Sequence, residues 1–82
     1  MPKDVRFLHD IDLSHDRQSI CLRAVVDGHR MVCHIPIAFI GKHFRGSGDW
    51  PQDAFAKNRS AIEALVRKRI EEGSLTDANN SL

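Results

Sequence analysis

The chain has 82 residues, 41% hydrophobic and 28% charged, the balance of an ordinary small globular domain. Twelve basic residues meet eleven acidic ones for a formal net charge of +1, which excludes a strongly basic nucleic-acid coat and an acidic tail protein. No apolar run approaches the ~20 residues of a membrane span, so no membrane partner is expected.

The opening Met-Pro-Lys-Asp-Val-Arg lacks the apolar core of a signal peptide, which points to the cytoplasm. Cys21 and Cys33 then read as reduced thiols. Their spacing fits no zinc motif, which wants paired C-x₂₋₄-C units. Val5, Arg6, Phe7 and Leu8 suggest a short first strand over about 4–9. The polar stretch 10–19 reads as a turn.

Residues 20–35 carry two β-prone runs around Asp27-Gly28. Asp-Gly is a strong hairpin signal, because both central positions of the tight turn need φ > 0. A two-residue loop pairs Val26 with His29, Ala24 with Met31, Leu22 with Cys33 and Ile20 with Ile35. Paired residues share a face. Ile20, Leu22, Ala24, Val26, Met31, Cys33 and Ile35 fall together, and Cys21, Arg23, Val25, Arg30, Val32 and His34 lie opposite. The two cysteines are thus on different faces, where neither a disulfide nor a shared metal can join them.

Pro36 opens a short helix over about 36–45, with Ile37, Ile40 and Phe44 as its stripe. Asp49 reads as the N-cap of a second helix over about 50–72, with Gln52 three residues on and Gly73 as its stop. Ala54, Phe55, Ala61, Ile62, Leu65 and Val66 share one face of it, and Asn58 and Arg69 interrupt that stripe. Such a helix would be about 34 Å long, against about 23 Å for the hairpin. The excess around Val66 and Ile70 is expected to pack on a second copy. Residues 1–73 read as one α+β domain, a small antiparallel sheet with both helices on one face, and the polar residues 74–82 as a disordered tail.

The order of features is familiar. Val26-Asp27-Gly28, Val32-Cys33-His34-Ile35, a short helix ending near Phe44, and Ala54-Phe55-x-x-Asn58-Arg59-x-x-Ile62-Glu63 together resemble a short bacterial family of unknown function, numbered fourteen eighty-eight. The resemblance covers about residues 5–73. It implies a compact α+β fold, strands first and helices after, and carries no activity, cofactor or catalytic residue with it. Pro36 departs from the pattern, standing where a Ser-like cap is expected.

Several residues are candidates for chemistry. His9, Asp10, Asp12, His15 and Asp16 could ligate a divalent metal, though a solvated turn with side chain-to-backbone bonds explains them more simply. Cys21 and His34 are cross-strand neighbours, the core of a thiol nucleophile, but no oxyanion hole or third group accompanies them. Lys42, His43 and Arg45 beside Gly46-Ser47-Gly48 could meet an anion at a helix start, yet the loop lacks a nucleotide-binding ending. Arg67, Lys68 and Arg69 suit a helix C-terminus through its dipole, and contact phosphate only if Lys42, Arg45, Arg67 and Lys68 converge, with Lys57, Arg23 and Arg30 enlarging the patch. Asp27, Gly28, Asp49, Asn58, Arg59 and Glu63 have structural roles, Arg59 and Glu63 as an i,i+4 pair. Trp50 is expected to cover the sheet or the short helix, or else to anchor a partner.

No catalytic residue and no cofactor is expected. The leading reading is a non-catalytic interaction module, homodimeric and with an unidentified protein partner. The first rival is a regulatory nucleic-acid-binding protein, and the second a metal- or thiol-dependent enzyme.

Overall fold

The computed structural model describes residues 3–44 and 50–82. Three strands come first, β1 (Val5–Leu13), β2 (Ser19–Val26) and β3 (His29–Pro36). Three helices follow, α1 (Ile37–His43), α2 (Pro51–Lys57) and α3 (Arg59–Glu71). The sheet is antiparallel throughout, in the order β1-β2-β3.

The hairpin has the register its turn dictates, from Val26↔His29 to Ile20↔Ile35. Asp27 (φ 50) and Gly28 (φ 86) both take left-handed backbone, the geometry that matches strand twist. Asp27 also ties down the start of β1: its amide donates to the Asp4 carbonyl at 2.8 Å, and its carboxylate accepts the Asp4 amide at 2.9 Å.

β1 is longer than its apolar run suggests, continuing through Asp10 to Leu13. The turn is confined to residues 14–18. Phe7 pairs with Ala24, but the next pairing is Ile11 with Leu22. Four residues of β1 thus advance where two of β2 do, and Leu8, His9 and Asp10 bulge. Both advances are even, so Phe7 and Ile11 stay on the core face on either side of the bulge.

The core joins Ile20, Leu22, Met31, Cys33 and Ile35 of the hairpin to Ile40, Ala54, Phe55, Ile62, Val66 and Ile70 of the helices. Phe55 is wholly enclosed, worth about 1.5–3 kcal/mol in apolar burial.

The single helix expected over 50–72 is broken at Asn58 (φ −115, ψ 15). Its side chain donates to the Ala54 carbonyl at 2.9 Å, within α2. The break removes the length mismatch. Val66 and Ile70, assigned from sequence to a second copy, lie in this chain's own core, and Ala61 is exposed. α3 ends as foreseen: Gly73 (φ 79) donates to Ile70 and Ser74 to Arg69, at 3.0 and 2.9 Å.

Two further differences concern the helix entries. Pro36 is the last residue of β3 and the N-cap position of α1, which starts at Ile37. Trp50 is 75% exposed rather than covering the sheet. Residues 74–82 lie against the fold. Leu75 is buried, Leu82 packs on the core, and Ser81 bridges His34 in parallel.

Candidate functional site

The guanidinium of Arg59 fills the β1 bulge. Nη2 donates to the Leu8 carbonyl at 2.6 Å, Nη1 to the His9 carbonyl at 2.7 Å, and Nε to Glu63 at 2.8 Å. Its cation also lies 5.5 Å from the Phe55 ring centre. Two turns further along α3, Arg67 donates to the Val5 carbonyl at 3.2 Å and lies over Phe7 at 5.6 Å. Both arginines therefore clip α3 to β1. The Arg59–Glu63 pair was legible in the sequence, and its grip on the bulge was not.

The N-terminal histidines and aspartates are spread out. His9 and Asp10 sit in the bulge, and Asp12 pairs with Arg23 at 2.7 Å. His15 and Asp16 belong to the turn. Asp16 accepts the Ser14 hydroxyl at 2.6 Å and the Gln18 amide at 3.0 Å, which hold its carboxyl below the usual value. Among the described residues no three His, Cys, Asp or Glu side chains are grouped to hold a metal ion.

Cys21 and His34 do meet, with Sγ 3.6 Å from Nδ1. Burial pushes the Cys21 thiol up, against the pull of Arg23 and with help from Asp12 and Asp16. A neutral thiol is a poor nucleophile and a serviceable hydrogen-bond donor. Cys33, inside the core, is pushed up to about 11, chiefly by burial.

The basic residues singled out from sequence are divided between α1 and α3. Lys42 lies in the last turn of α1 and Lys68 in the last turn of α3. Arg67 is turned onto β1. Arg45 and Asp49 lie outside the described residues, as does the glycine loop between them.

A different basic set does assemble. Arg6, Val25 and Arg30 are directly opposed across the three strands, and Arg23 opposes Val32 in the next β2–β3 row. Opposed residues share a face, so Arg6, Arg23 and Arg30 flank Val25 and Val32 on the side away from the helices. Leu8 and Asp12 border Arg23 in a shallow hollow there. Leu8 and Val32 are two of the three large hydrophobic side chains exposed among the described residues. The strands contain no Lys and no Glu. All three glutamates are on or just after α3. Period-two alternation had placed Arg23 and Arg30 opposite the core; Arg6 joins them through the β1–β2 register.

The sequence model described as "Protein of unknown function (DUF1488)" matches residues 5–79. A crystal structure of a DUF1488-family protein of unknown function from Shewanella loihica PV-4 has the same fold, with a TM-score of 0.76 at 16% identity, covering 100% of this chain and 94% of that one. No curated protein matches the sequence.

Proposed function

This chain belongs to the DUF1488 family of proteins of unknown function, and we propose that it is a non-catalytic interaction module that self-associates through its open sheet face. The observation carrying this reading is the composition of that face: three arginines around two valines, with no Lys or Glu. Protein interfaces are enriched in Arg and depleted in Lys and Glu, whereas merely solvated faces favour the latter. Apart from Lys3, which precedes β1, the Lys and Glu residues sit instead on the helices or just after α3, as a solvated side requires. Asp12, on the same face as Arg23, offers a carboxylate to the arginines of a second copy. Two sheets packed through such faces form a sandwich. The neutral Cys21 thiol beside His34 supports a packing role for that pair.

Sedimentation velocity from micromolar to millimolar protein tests the reading, alongside Val25→Glu, a change in the middle of the open face. Dimer in the parent and monomer in the variant, with unchanged circular dichroism, is the expected result. A parent that stays monomeric throughout refutes self-association.

The convergence of Arg6, Arg23 and Arg30 favours nucleic acid as a second reading. It predicts duplex DNA binding that falls steeply with salt. Two of those arginines already face Asp4 and Asp12 at 3.5 and 2.7 Å, and among the described residues the face carries no Phe, Tyr or Trp for base stacking, so the protein–protein reading stands first.

A further inference from the structure

The outer edge of β3 is only partly used. The His34 amide donates to the Asn80 carbonyl at 2.7 Å, and the His34 carbonyl accepts the Leu82 amide at 2.9 Å. Both His34 groups therefore point away from β2. In an antiparallel strand, residues two apart point the same way, so Val32 and Arg30 also aim their amides and carbonyls outward. Nothing among the described residues bonds them. Ser81 bridges His34 in parallel, so residues 80–82 run away from Val32 and Arg30; the chain before them turns at 76–79, where Thr76 and Asn79 bond each other at 3.1 Å instead of pairing with β3.

Beside this bare edge, on the core side of the sheet, lies a cavity of about 230 Å³. Val26, Met31, Ile70 and Leu75 form its apolar wall, with His29 and Asp77 among its polar lining. That volume falls below the ~300–1,000 Å³ of small-molecule pockets and is scaled to a side chain. On the other side of the sheet, Arg30 makes no ion pair among the described residues.

We propose that the β3 edge at Arg30 and Val32 is a strand-addition site for an extended segment of a partner protein, one that turns an aliphatic side chain into the cavity beside Met31 and an acidic side chain toward Arg30. The chain's own residues 80–82 already pair with the same edge at His34, so the backbone there accepts a further strand. Main-chain bonds to Val32 and Arg30 supply affinity, while the cavity and Arg30 supply selectivity. This goes beyond the open-face reading, since a face-to-face pair of sheets leaves their edges free.

The test is a titration of isotope-labelled protein with a synthetic peptide in which leucine alternates with glutamate. The expected result is amide shifts centred on Arg30, Met31 and Val32, with slowed exchange of the Arg30 and Val32 amides. Val32→Pro removes one outward amide and leaves the β2–β3 ladder intact. It should weaken binding at least about tenfold, the factor carried by ~1.4 kcal/mol. A peptide N-methylated at the pairing residues should bind equally poorly to the parent, a control that needs no protein variant. Absence of binding overturns the proposal, as does equal binding of the N-methylated peptide or shifts confined to Arg6 and Arg23. A dimer abolished by Val32→Pro but kept by Val25→Glu overturns it too, because the edge would then belong to a second copy. Failure of open-face pairing is read separately, in the sedimentation of Val25→Glu.

Discussion

Replacing Arg59 with alanine should destabilise this protein far more than a partly exposed arginine ordinarily would. Its guanidinium makes two short bonds to the bulge carbonyls and one to Glu63. A hydrogen bond to a charged group contributes ~1.5–3 kcal/mol when shielded. The two carbonyls here are open to water, which replaces part of each lost bond, so about 1 kcal/mol apiece is reasonable. The pair with Glu63, whose side chains are 25% and 27% exposed, adds at most ~0.5 kcal/mol after screening. Contact with Phe55 adds a similar amount. The loss is then about 2–3 kcal/mol, or a fall in melting temperature of about 10–20 °C for a domain of this size. Urea and thermal melts of Arg59→Ala, Glu63→Gln and the double variant measure it. Glu63→Gln alone should cost under about 1 kcal/mol, because the bulge contacts survive. Arg59→Lys should recover only part of the loss, since one ammonium cannot span both carbonyls and Glu63 in a fixed fork. If Arg59→Ala costs no more than Glu63→Gln, the bulge bonds contribute nothing and the reasoning is wrong.

The same substitution at two glycines should have opposite signs. Neither Gly28 nor Gly41 has an atom within 4 Å of an added Cβ, but Gly28 holds φ +86. Gly28→Ala should cost roughly 1–2 kcal/mol, and Gly41→Ala, within α1, should gain up to ~1 kcal/mol; urea midpoints decide both. Thiol titration should show Cys21 reacting in the native state, more slowly than a free thiol, and Cys33 only on unfolding. Because the Cys33 thiol is raised to about 11, its preference for the neutral form stabilises the fold fully below the ordinary thiol value of about 9. That contribution is lost as pH rises from there toward about 11. Stability that holds constant across this alkaline range in the parent, while Cys33→Ala behaves identically, would count against it.

How legible the fold was depended on whether local chemistry decides it. Asp27-Gly28 leaves one hairpin register, and strict alternation then assigns every residue of β2 and β3 to a face. β1 was only half legible, because Leu8-His9-Asp10 breaks the alternation and its partner, Arg59, lies fifty residues away. The break at Asn58 did leave a trace, since a polar residue inside an apolar stripe contradicts a continuous helix. Its cause, a side chain capping its own helix at Ala54, needed three dimensions. The open face was implicit in the same alternation, but Arg6 could join it only once the β1 register was known.

The arginine clips also bear on the order in which the molecule assembles. β2 and β3 meet across a two-residue loop, so their pairing closes almost no chain. The bulge of β1, by contrast, is held by a residue 50–51 positions further along, and a loop that long is closed at an entropic cost that must be met before the bonds form. During synthesis from the N-terminus, β1 leaves the ribosome first, yet its last contacts wait until α3 has emerged. β1, made before β2 and β3, is thus clipped to α3 only after both of them, and the nascent chain carries an unsecured bulge until then.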